Sequence, residues 1–239
     1  MIRDDGGGGG LNDKVFLITG ASSGIGEATA RAAAEAGYRL VLAARSEEQL
    51  QALADSLGGG GRALPVRCDV TEPDDQKHMV EAAIEHFGHI DVVFANAGIG
   101  GVPGGFGGSD PEHWRKMILT NVYGLGLTVR MTLAALKDSQ GHLILNGSVA
   151  GRRTLAGSMY SATKWAVTAI GYGVREELRG TGIRVTLVEP GMVDTPFFDE
   201  PKPEALRPED IARSVIYAVS QPDHVDVHEV MVLPRPPVN

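Results

Sequence analysis

Short apolar runs alternate with longer amphipathic segments along almost the whole chain. The runs are mostly apolar from end to end, which is typical of strands buried on both faces of a parallel sheet. The predicted strands span residues 15–19, 40–44, 63–68, 92–95, 143–146, 185–188 and 230–233. Between them, apolar residues recur at helical spacing, as in the stripe of Met79, Val80, Ala83, Ile84 and Phe87. The predicted helices span residues 24–36, 47–57, 73–87, 112–137, 159–179 and 208–220.

Strict alternation of strand and helix predicts the fold class. It requires right-handed crossovers between parallel neighbours, with helices on both faces of the sheet. We therefore predict a Rossmann-like, doubly wound α/β fold with a mostly parallel seven-stranded sheet. No internal repeat or long linker divides the pattern, so residues 11–239 are predicted to form a single domain after a flexible segment at 1–10. Such sheets bind ligands at the carboxyl ends of their strands, where the strand order reverses.

Composition and charge narrow the functional classes. Hydrophobic residues make up 43% of the 239 residues and charged residues 22%, as in globular enzymes with a full core. The net charge of -8 argues against a nucleic-acid surface, which needs clustered Lys and Arg. No stretch resembles a signal peptide or a membrane span, and the single cysteine, Cys68, excludes an internal disulfide. We predict a cytoplasmic protein that binds neither nucleic acid nor membrane.

Three glycine-rich tracts and the histidines have no predicted ligand. The tracts occupy residues 6–10, 58–61 and 100–108, and we interpret them as flexible connectors. The histidines lack the spacing of metal ligands, so no metal site is predicted. They are His78, His86, His89, His113, His142, His224 and His228.

A further glycine cluster joins the first predicted strand to the first predicted helix. Gly20, Gly24 and Gly26 in the sequence TGASSGIG allow a tight turn and a close approach to a pyrophosphate. The helix that follows directs free N–H groups at the anion. The spacing departs from the usual G-x-G-x-x-G, and a glycine loop without a ligand is the alternative. The other residues of the turn assigned to a cofactor site are Ser22, Ser23 and Ile25.

The type of cofactor should depend on the end of the second predicted strand. An acidic side chain there accepts hydrogen bonds from the ribose diol of NAD, whereas this chain has Arg45. A guanidinium pairs with a 2′-phosphate, and no carboxylate is present to repel it. We therefore predict that NADP(H) is preferred and NAD(H) possible, the alternative being that Arg45 is a surface charge.

Tyr160 and Lys164 lie four residues apart in the predicted helix 159–179, and Ser148 follows the fifth predicted strand. Residues at this spacing share a helix face, so the ammonium should lie close to the phenol oxygen. A cation about 5 Å away at an effective dielectric of about 20 contributes roughly 3 kcal/mol, which lowers the phenol pKa by about two units. Tyr160 then serves as a general acid or base, while Ser148 holds a carbonyl oxygen.

Together these motifs resemble the short-chain dehydrogenase/reductase family over nearly the whole chain. The resemblance rests on the glycine turn, Asp69-Val70, Asn96-Ala97-Gly98, Asn121, Ser148, the YSATK segment at 160–164 and Pro190-Gly191, all in the family's order. It implies that Asp69 and Val70 border the adenine, and that Asn96 to Gly98 form the floor under the cofactor. It also implies residues that flank the nicotinamide, namely Pro190, Gly191, Val193 and Thr195.

The resemblance further implies a proton path. Lys164 would bond the nicotinamide ribose, and Asn121 would hold a water that relays protons through Lys164 to Tyr160. The predicted catalytic residues are therefore Asn121, Ser148, Tyr160 and Lys164.

The sequence thus predicts an NADP(H)-dependent oxidoreductase that interconverts a secondary alcohol and a ketone or aldehyde. Segment 197–207 is short for a substrate lid, and the stretch 100–108 has few side chains. These features favour a small 3-hydroxy acid, a sugar-like alcohol or an unspecialised ketone as substrate. The alternatives are a reductase of 3-oxoacyl groups on a carrier protein, which a basic patch beside the pocket would favour, and a non-catalytic nucleotide-sensing protein.

Small residues on the predicted helix 159–179 suggest a partner surface. They recur every three or four positions, which permits close approach by another helix, although packing on the chain's own sheet explains part of the pattern equally well. They are Ala162, Ala166, Ala169 and Gly173. With the family resemblance, this pattern favours a homodimer or homotetramer.

Overall fold

The computed structural model describes residues 13–198 and 200–235. In that part of the chain, seven strands form one sheet in the order β3-β2-β1-β4-β5-β6-β7, and all six pairings are parallel. The strands are β1 (Val15–Thr19), β2 (Arg39–Ala44), β3 (Ala63–Arg67), β4 (Val92–Ala95), β5 (His142–Asn146), β6 (Arg184–Pro190) and β7 (Glu229–Val232). The predicted doubly wound α/β sheet is confirmed. The predicted flexible segment 1–10 lies outside the described residues.

Helices cover both faces of this sheet. They are α1 (Gly24–Glu35), α2 (Glu47–Ser56), α3 (Pro73–Phe87), α4 (Gly105–Gly108), α5 (Pro111–Ile118), α6 (Leu125–Ser139), α7 (Met159–Glu177) and α8 (Pro208–Val219). The bounds of α3 match the prediction, because Pro73 occupies the first turn and Gly88, with φ of 86°, ends the helix in the left-handed conformation.

The predicted uninterrupted helix 112–137 is wrong in one respect. A π-helical segment, Leu119–Gly124, separates α5 from α6. At its end, the Gly124 carbonyl accepts hydrogen bonds from Gln76 Nε2 at 2.8 Å and from Thr128 Oγ1 at 3.0 Å. Side chains therefore take part in the local hydrogen bonding of this π-segment.

Each strand of the sheet centre contributes to two cores. In β1, Val15 and Leu17 pack in one buried cluster, whereas Phe16 and Ile18 pack in the other. The alternation places α3, α6 and α7 over one face and α1, α2 and α8 over the opposite face, as the clusters and helix contacts show. Because β1 and β4 are neighbours at the reversal of strand order, a crevice opens at their carboxyl ends.

Two of the glycine tracts contain short helical turns. Gly59–Gly61 forms a single 3-10 turn before β3, and the tract at 100–108 contains the one-turn helix α4. The third tract, at 6–10, lies outside the described residues.

Within residues 13–198 and 200–235, no helix has the length and hydropathy needed to cross a bilayer. Over the same ranges, no three His, Cys, Asp or Glu side chains come together as a metal-binding group would require.

Candidate active site

The glycine turn between β1 and α1 depends on three residues without a Cβ. Gly20 and Gly24 have φ of +67° and +56°, in the left-handed region that other residues avoid. A Cβ on Gly20 would lie 2.9 Å from Ala97 Cα, and a Cβ on Gly26 would overlap the Gly20 carbonyl. The turn is therefore folded tightly against both α1 and the segment that follows β4.

The first turn of α1 faces this crevice with free backbone donors. Ser23, the N-cap residue, has extended backbone angles, and in the described part of the chain its hydroxyl caps none of the first-turn amides. Thr195 lies beside them, since its Cγ2 would be 3.2 Å from a Cβ on Gly24. The structure thus brings predicted residues from both ends of the sequence to one helix N-terminus, a place suited to a phosphate group. The same turn contains Ser22 and Ile25.

Asn96 links the glycine turn to the neighbouring strands. Its Nδ2 donates to the Thr19 carbonyl at 2.9 Å and to the Gly20 carbonyl at 3.3 Å, and its backbone N–H donates to Thr19 Oγ1 at 3.0 Å. Its Oδ1 accepts from Asn146 Nδ2 at 2.8 Å. Asn96 therefore fixes the carboxyl ends of β1, β4 and β5 relative to one another.

Asn146, at the end of β5, extends this chain of hydrogen bonds to Lys164. The buried Lys164 ammonium donates to the Asn146 carbonyl at 2.8 Å. A continuous path thus leads from the Thr19 carbonyl through Asn96 and Asn146 to the lysine. The sequence prediction did not include Asn146, although an amide that ends a buried strand next to another such amide could have indicated it.

Tyr160, Lys164 and Ser148 meet at the carboxyl end of β5. The helix α7 that bears the first two begins after Ser158, whose Oγ accepts from the Ser161 N–H at 3.0 Å. Lys164 Nζ lies 5.8 Å from the centre of the Tyr160 ring. The Ser148 hydroxyl lies within hydrogen-bonding reach of the Tyr160 phenol, and its Oγ accepts from the Ala150 N–H at 3.1 Å and donates to the Pro190 carbonyl at 3.4 Å. The predicted triad of phenol, ammonium and hydroxyl is therefore brought together.

The predicted lowering of the Tyr160 pKa is wrong for the protein alone. Burial raises the pKa of Tyr160 to about 12, and the hydrogen bond with Ser148 opposes this rise only in part. Burial also lowers the pKa of Lys164 to about 8. The prediction weighed only the charge of the lysine, whereas desolvation of the phenol is the larger effect here. At neutral pH the tyrosine is protonated and the lysine is mostly charged.

Asn121 lies in the π-helical segment and braces two parts of the site. Its Oδ1 accepts from the Ile99 N–H at 2.8 Å, and its Nδ2 donates to the Ile99 carbonyl at 2.9 Å and to Thr163 Oγ1 at 3.1 Å. Both amide hydrogens are thus engaged, so the side chain is not available to donate to a water. A Cβ on Gly98 would lie 3.2 Å from Asn121 Oδ1, which explains the glycine there.

The residues predicted to contact the adenosine half lie at the ends of β2 and β3. Asp69 Oδ1 accepts from the Thr71 N–H at 3.0 Å and from Thr71 Oγ1 at 2.8 Å, while Val70 is buried against Gly124. Arg45 follows β2 and is exposed, and among the described residues it forms no ion pair. Its charge is therefore not neutralised within that part of the protein.

The segment after β6 closes the other side of the crevice. Pro190 ends the strand, and the Gly191 N–H donates to the Val232 carbonyl at 2.7 Å. A Cβ on Gly191 would lie 2.9 Å from Pro234 Cδ, so this glycine permits the close approach of β7. Val193 is buried. These residues follow the carboxyl end of β6, as predicted.

An ion-pair cluster that the sequence did not predict joins the elements around Ser148. Arg152 Nε donates to the buried Glu189 carboxylate at 2.5 Å, and its other nitrogens donate to Tyr172 Oη at 2.6 Å and to Glu229. Burial raises the pKa of Glu189, and the Arg152 guanidinium opposes that rise. The cluster ties the loop after Ser148 to α7, β6 and β7.

Three loops lie around Tyr160, and one of them also reaches the glycine turn through Thr195. They comprise residues 100–108, 152–158 and 192–198, which we call the substrate-side loops. A Cβ on Gly157 would lie 3.0 Å from Gly105 Cα, so the first two loops touch. The apolar side chains of these loops that are exposed are Val102, Phe106, Leu155, Met192 and Phe197.

Comparison with known proteins agrees with this geometry. The family model for short chain dehydrogenase matches residues 14–205. An uncharacterized oxidoreductase of Staphylococcus epidermidis is 40% identical over 231 residues, which cover 94% of this chain and 98% of that protein.

Solved structures with the same fold include two dehydrogenases. An alcohol dehydrogenase from the archaeon Thermococcus sibiricus, complexed with 5-hydroxy-NADP, is 34% identical with a TM-score of 0.87, over 94% of this chain and 99% of that one. Serine dehydrogenase from Escherichia coli is 32% identical with a TM-score of 0.84, over 92% of this chain and 97% of that one. The chain therefore belongs to the short-chain dehydrogenase family and is an oxidoreductase.

Proposed function

We propose that the protein is an NADP(H)-dependent oxidoreductase that interconverts a secondary alcohol and a ketone or aldehyde. The observation that carries this proposal is the meeting of Ser148, Tyr160 and Lys164 beside the glycine turn, at the carboxyl edge of one sheet. A phenol that can donate a proton, a cation that can stabilise the resulting phenolate and a hydroxyl that can hold the carbonyl oxygen are the groups that ketone reduction needs.

The residues around the crevice suit a dinucleotide with a nicotinamide ring. The pyrophosphate would bind to the first-turn amides of α1, where Gly24 and Gly26 leave the backbone accessible. Asn96 and Pro190 border the position between this turn and Tyr160. When bound, the nicotinamide supplies or accepts the hydride. Tyr160 and Lys164 would also contact the cofactor from α7.

The proton chemistry belongs to Tyr160. In the reducing direction, Tyr160 is protonated at neutral pH, because its pKa of about 12 lies far above 7. Ser148, whose hydroxyl lies beside the phenol, would donate a hydrogen bond to the substrate oxygen and so orient that oxygen for protonation. As the proton leaves, the charged Lys164 stabilises the phenolate that forms. In the oxidising direction the same groups act in reverse.

Arg45 supports a preference for NADP(H). It is exposed at the end of β2, next to the carboxyl end of β1, and in the described residues no carboxylate neutralises it. A 2′-phosphate on the adenosine ribose would therefore find a free guanidinium. The archaeal alcohol dehydrogenase similar to this chain was crystallised with an NADP derivative, which agrees with this preference.

The substrate-side loops support a small substrate. They carry exposed apolar side chains. Of their two arginines, Arg152 is engaged by Glu189 and Glu229, whereas Arg153 is exposed and forms no ion pair among the described residues. Small 3-hydroxy acids, sugar-like alcohols and simple ketones fit such a site. The names of two similar structures, an alcohol dehydrogenase and a serine dehydrogenase, agree with compounds of this size.

We also propose that the protein forms a homodimer or homotetramer through α7. Three of the four small residues noted on this helix, Ala162, Ala169 and Gly173, are exposed, and the exposed Trp165 and Tyr172 lie among them. The sheet instead packs on the opposite face of α7. A monomeric mass in solution at micromolar concentration would exclude this assembly.

The predicted cytoplasmic location stays a prediction.

Replacing Tyr160 with phenylalanine tests the proposed function. Tyr160→Phe removes the proton donor but keeps the ring, so turnover of a simple ketone should fall about 10²- to 10⁴-fold while the NADPH dissociation constant changes little. Tyr217→Phe, an exposed tyrosine of α8, is the matched control and should keep full activity. Nicotinamide absorbance measures turnover, and fluorescence titration measures binding. Undiminished turnover by Tyr160→Phe would refute the assignment.

A further inference from the structure

Phe197 covers the phenol that the proposed function places at the reacting centre. Its ring centre lies 5.7 Å from that of Tyr160, and the two rings meet edge to face at 67°. Phe197 belongs to the substrate-side loop that follows β6, and 42% of its surface is exposed. The side chain therefore stands between solvent and Tyr160, where an incoming carbonyl compound would have to pass.

Gly100 provides the space into which this ring fits. A Cβ on Gly100 would lie 2.7 Å from Phe197 Cε1 and 2.9 Å from its Cζ, closer than real Cβ atoms come to such carbons. A Cβ on the next residue, Gly101, would lie 3.3 Å from Tyr160 Cβ. Because Gly100 and Gly101 have no Cβ, the backbone at Gly100 can approach the Phe197 ring and the backbone at Gly101 can approach the Tyr160 Cβ.

Other contacts hold the two partners in place. The Gly100 carbonyl accepts a hydrogen bond from His113 Nε2 at 2.7 Å, which anchors the loop to α5. On the other side, the Phe197 N–H donates to Thr195 Oγ1 at 3.3 Å. Thr195 packs beside Gly24 of the glycine turn. The position of the ring is therefore linked to the cofactor side of the crevice and not only to its own loop.

We propose that Phe197 and Gly100 form a gate that limits the size of the substituents on the substrate carbonyl. This inference rests on the proposed function and deepens it, because it names a specificity-determining pair. With the ring against Gly100, a ketone with two slim substituents reaches Tyr160, whereas a bulky aryl or branched substituent requires the ring to leave its place. The gate thus selects small aliphatic carbonyl compounds by exclusion and not by a charged recognition group.

The first test compares the reduction of two probe ketones, butanone and butyrophenone, with NADPH. Phe197→Ala should raise the ratio of kcat/KM for butyrophenone to that for butanone by about tenfold or more, the usual range for a change in an apolar pocket. Tyr217→Ala is the control. It removes an exposed aromatic ring of α8, outside the substrate-side loops, so the ratio should stay within about twofold.

The second test measures the coupling of the pair. Gly100→Ala should lower kcat/KM for butanone, because its new Cβ pushes the Phe197 ring away from Gly100 and towards Tyr160, where the ring narrows the entry. Adding Phe197→Ala removes the clash and should restore activity at least about tenfold above that of Gly100→Ala alone. Gly126→Ala in α6, outside the substrate-side loops, has nothing within 4 Å of its added Cβ and should leave activity unchanged.

The outcomes separate this inference from the function beneath it. A wild-type protein that reduces butanone while Phe197→Ala leaves the ratio unchanged would overturn the gate alone. Independent effects of the Gly100 and Phe197 substitutions would overturn it as well. A wild-type protein that reduces no carbonyl compound in a broad panel would instead overturn the proposed function, and the gate with it.

Discussion

At the end of the crevice where a cofactor would bind, contacts are made by backbone atoms and buried amides. Gly26 lies against the Gly20 carbonyl, and Asn96 bonds to two consecutive carbonyls of the turn. At the end where a substrate would enter, the exposed Phe197 ring lies against Gly100 of the glycine-rich loop 100–108, and the exposed Phe106 ring of that loop contacts Trp114. The comparison shows that the half of the site near the glycine turn depends on glycines whose neighbours leave no room for a side chain. The half near the substrate entry depends instead on a few side chains that can be substituted.

Matched glycine substitutions at the two ends test whether the ends differ in this way. Gly26→Ala forces its Cβ into the Gly20 carbonyl, so we expect the free energy of unfolding to fall by about 1–3 kcal/mol and NADPH affinity to fall with it. Gly107→Ala meets nothing within 4 Å and should leave stability unchanged or raise it by about 0.4–1 kcal/mol. Denaturant unfolding and NADPH titration measure both effects. Equal losses for the two variants would contradict the distinction.

Arg45 tests whether a single exposed charge also matters at the cofactor end. Arg45→Ala should raise KM for NADPH about tenfold or more, because it removes a charged partner of the 2′-phosphate, and should leave KM for NADH nearly unchanged. Arg179→Ala, another exposed arginine, is the control and should alter neither constant. Steady-state kinetics with both cofactors give the ratio. An unchanged ratio would remove Arg45 from the cofactor site.

The pH dependence of ketone reduction tests whether the charge of Lys164 assists proton transfer at the substrate end. Hydrogen bonds through Asn96 and Asn146 link this lysine to the glycine turn. Burial lowers the pKa of Lys164 to about 8, so the ammonium is present below that pH and is lost above it. Tyr160, with a pKa of about 12, stays protonated over the same range. We therefore expect kcat to fall by up to about tenfold between pH 7 and pH 9, as the charged fraction of Lys164 falls. A profile that stays flat to pH 10 would show that the lysine charge does not assist proton transfer.

Much of the architecture could be predicted because its signals are local. The bounds of α3 follow from Pro73 in its first turn and from Gly88, which ends the helix in the left-handed conformation. The strands of the sheet were predicted to within two residues at most ends, since apolar runs bounded by turns leave few other interpretations. The glycine turn could be predicted from its position between a strand and a helix, and the Tyr160–Lys164 pair from its occurrence together with Ser148.

Features that depend on distant residues escaped prediction. The pairing of Asn146 with Asn96 spans 50 positions and requires β4 and β5 to be neighbours. The raised pKa of Tyr160 reflects burial by several elements, which no local motif encodes. The contact of Phe197 with Gly100 joins two loops whose sequences carry no helical or strand period. The π-helical segment was missed because its residues, LTNVYG, include no proline and no other local signal of a change in helix type.

The strand order has a consequence for the order in which the protein is made. β1 is an interior strand of the sheet, and its Val15 N–H donates to Asp91, 76 positions later. The Thr19 carbonyl at its end accepts a hydrogen bond from Asn96, which is also later in the sequence. During synthesis, the glycine turn therefore leaves the ribosome well before the segment around Asp91 and Asn96 that holds this turn in shape. Loop closure over such distances is slow, so the pocket should be among the last features to mature, and a truncated product ending before β4 would display the motif yet lack the cavity.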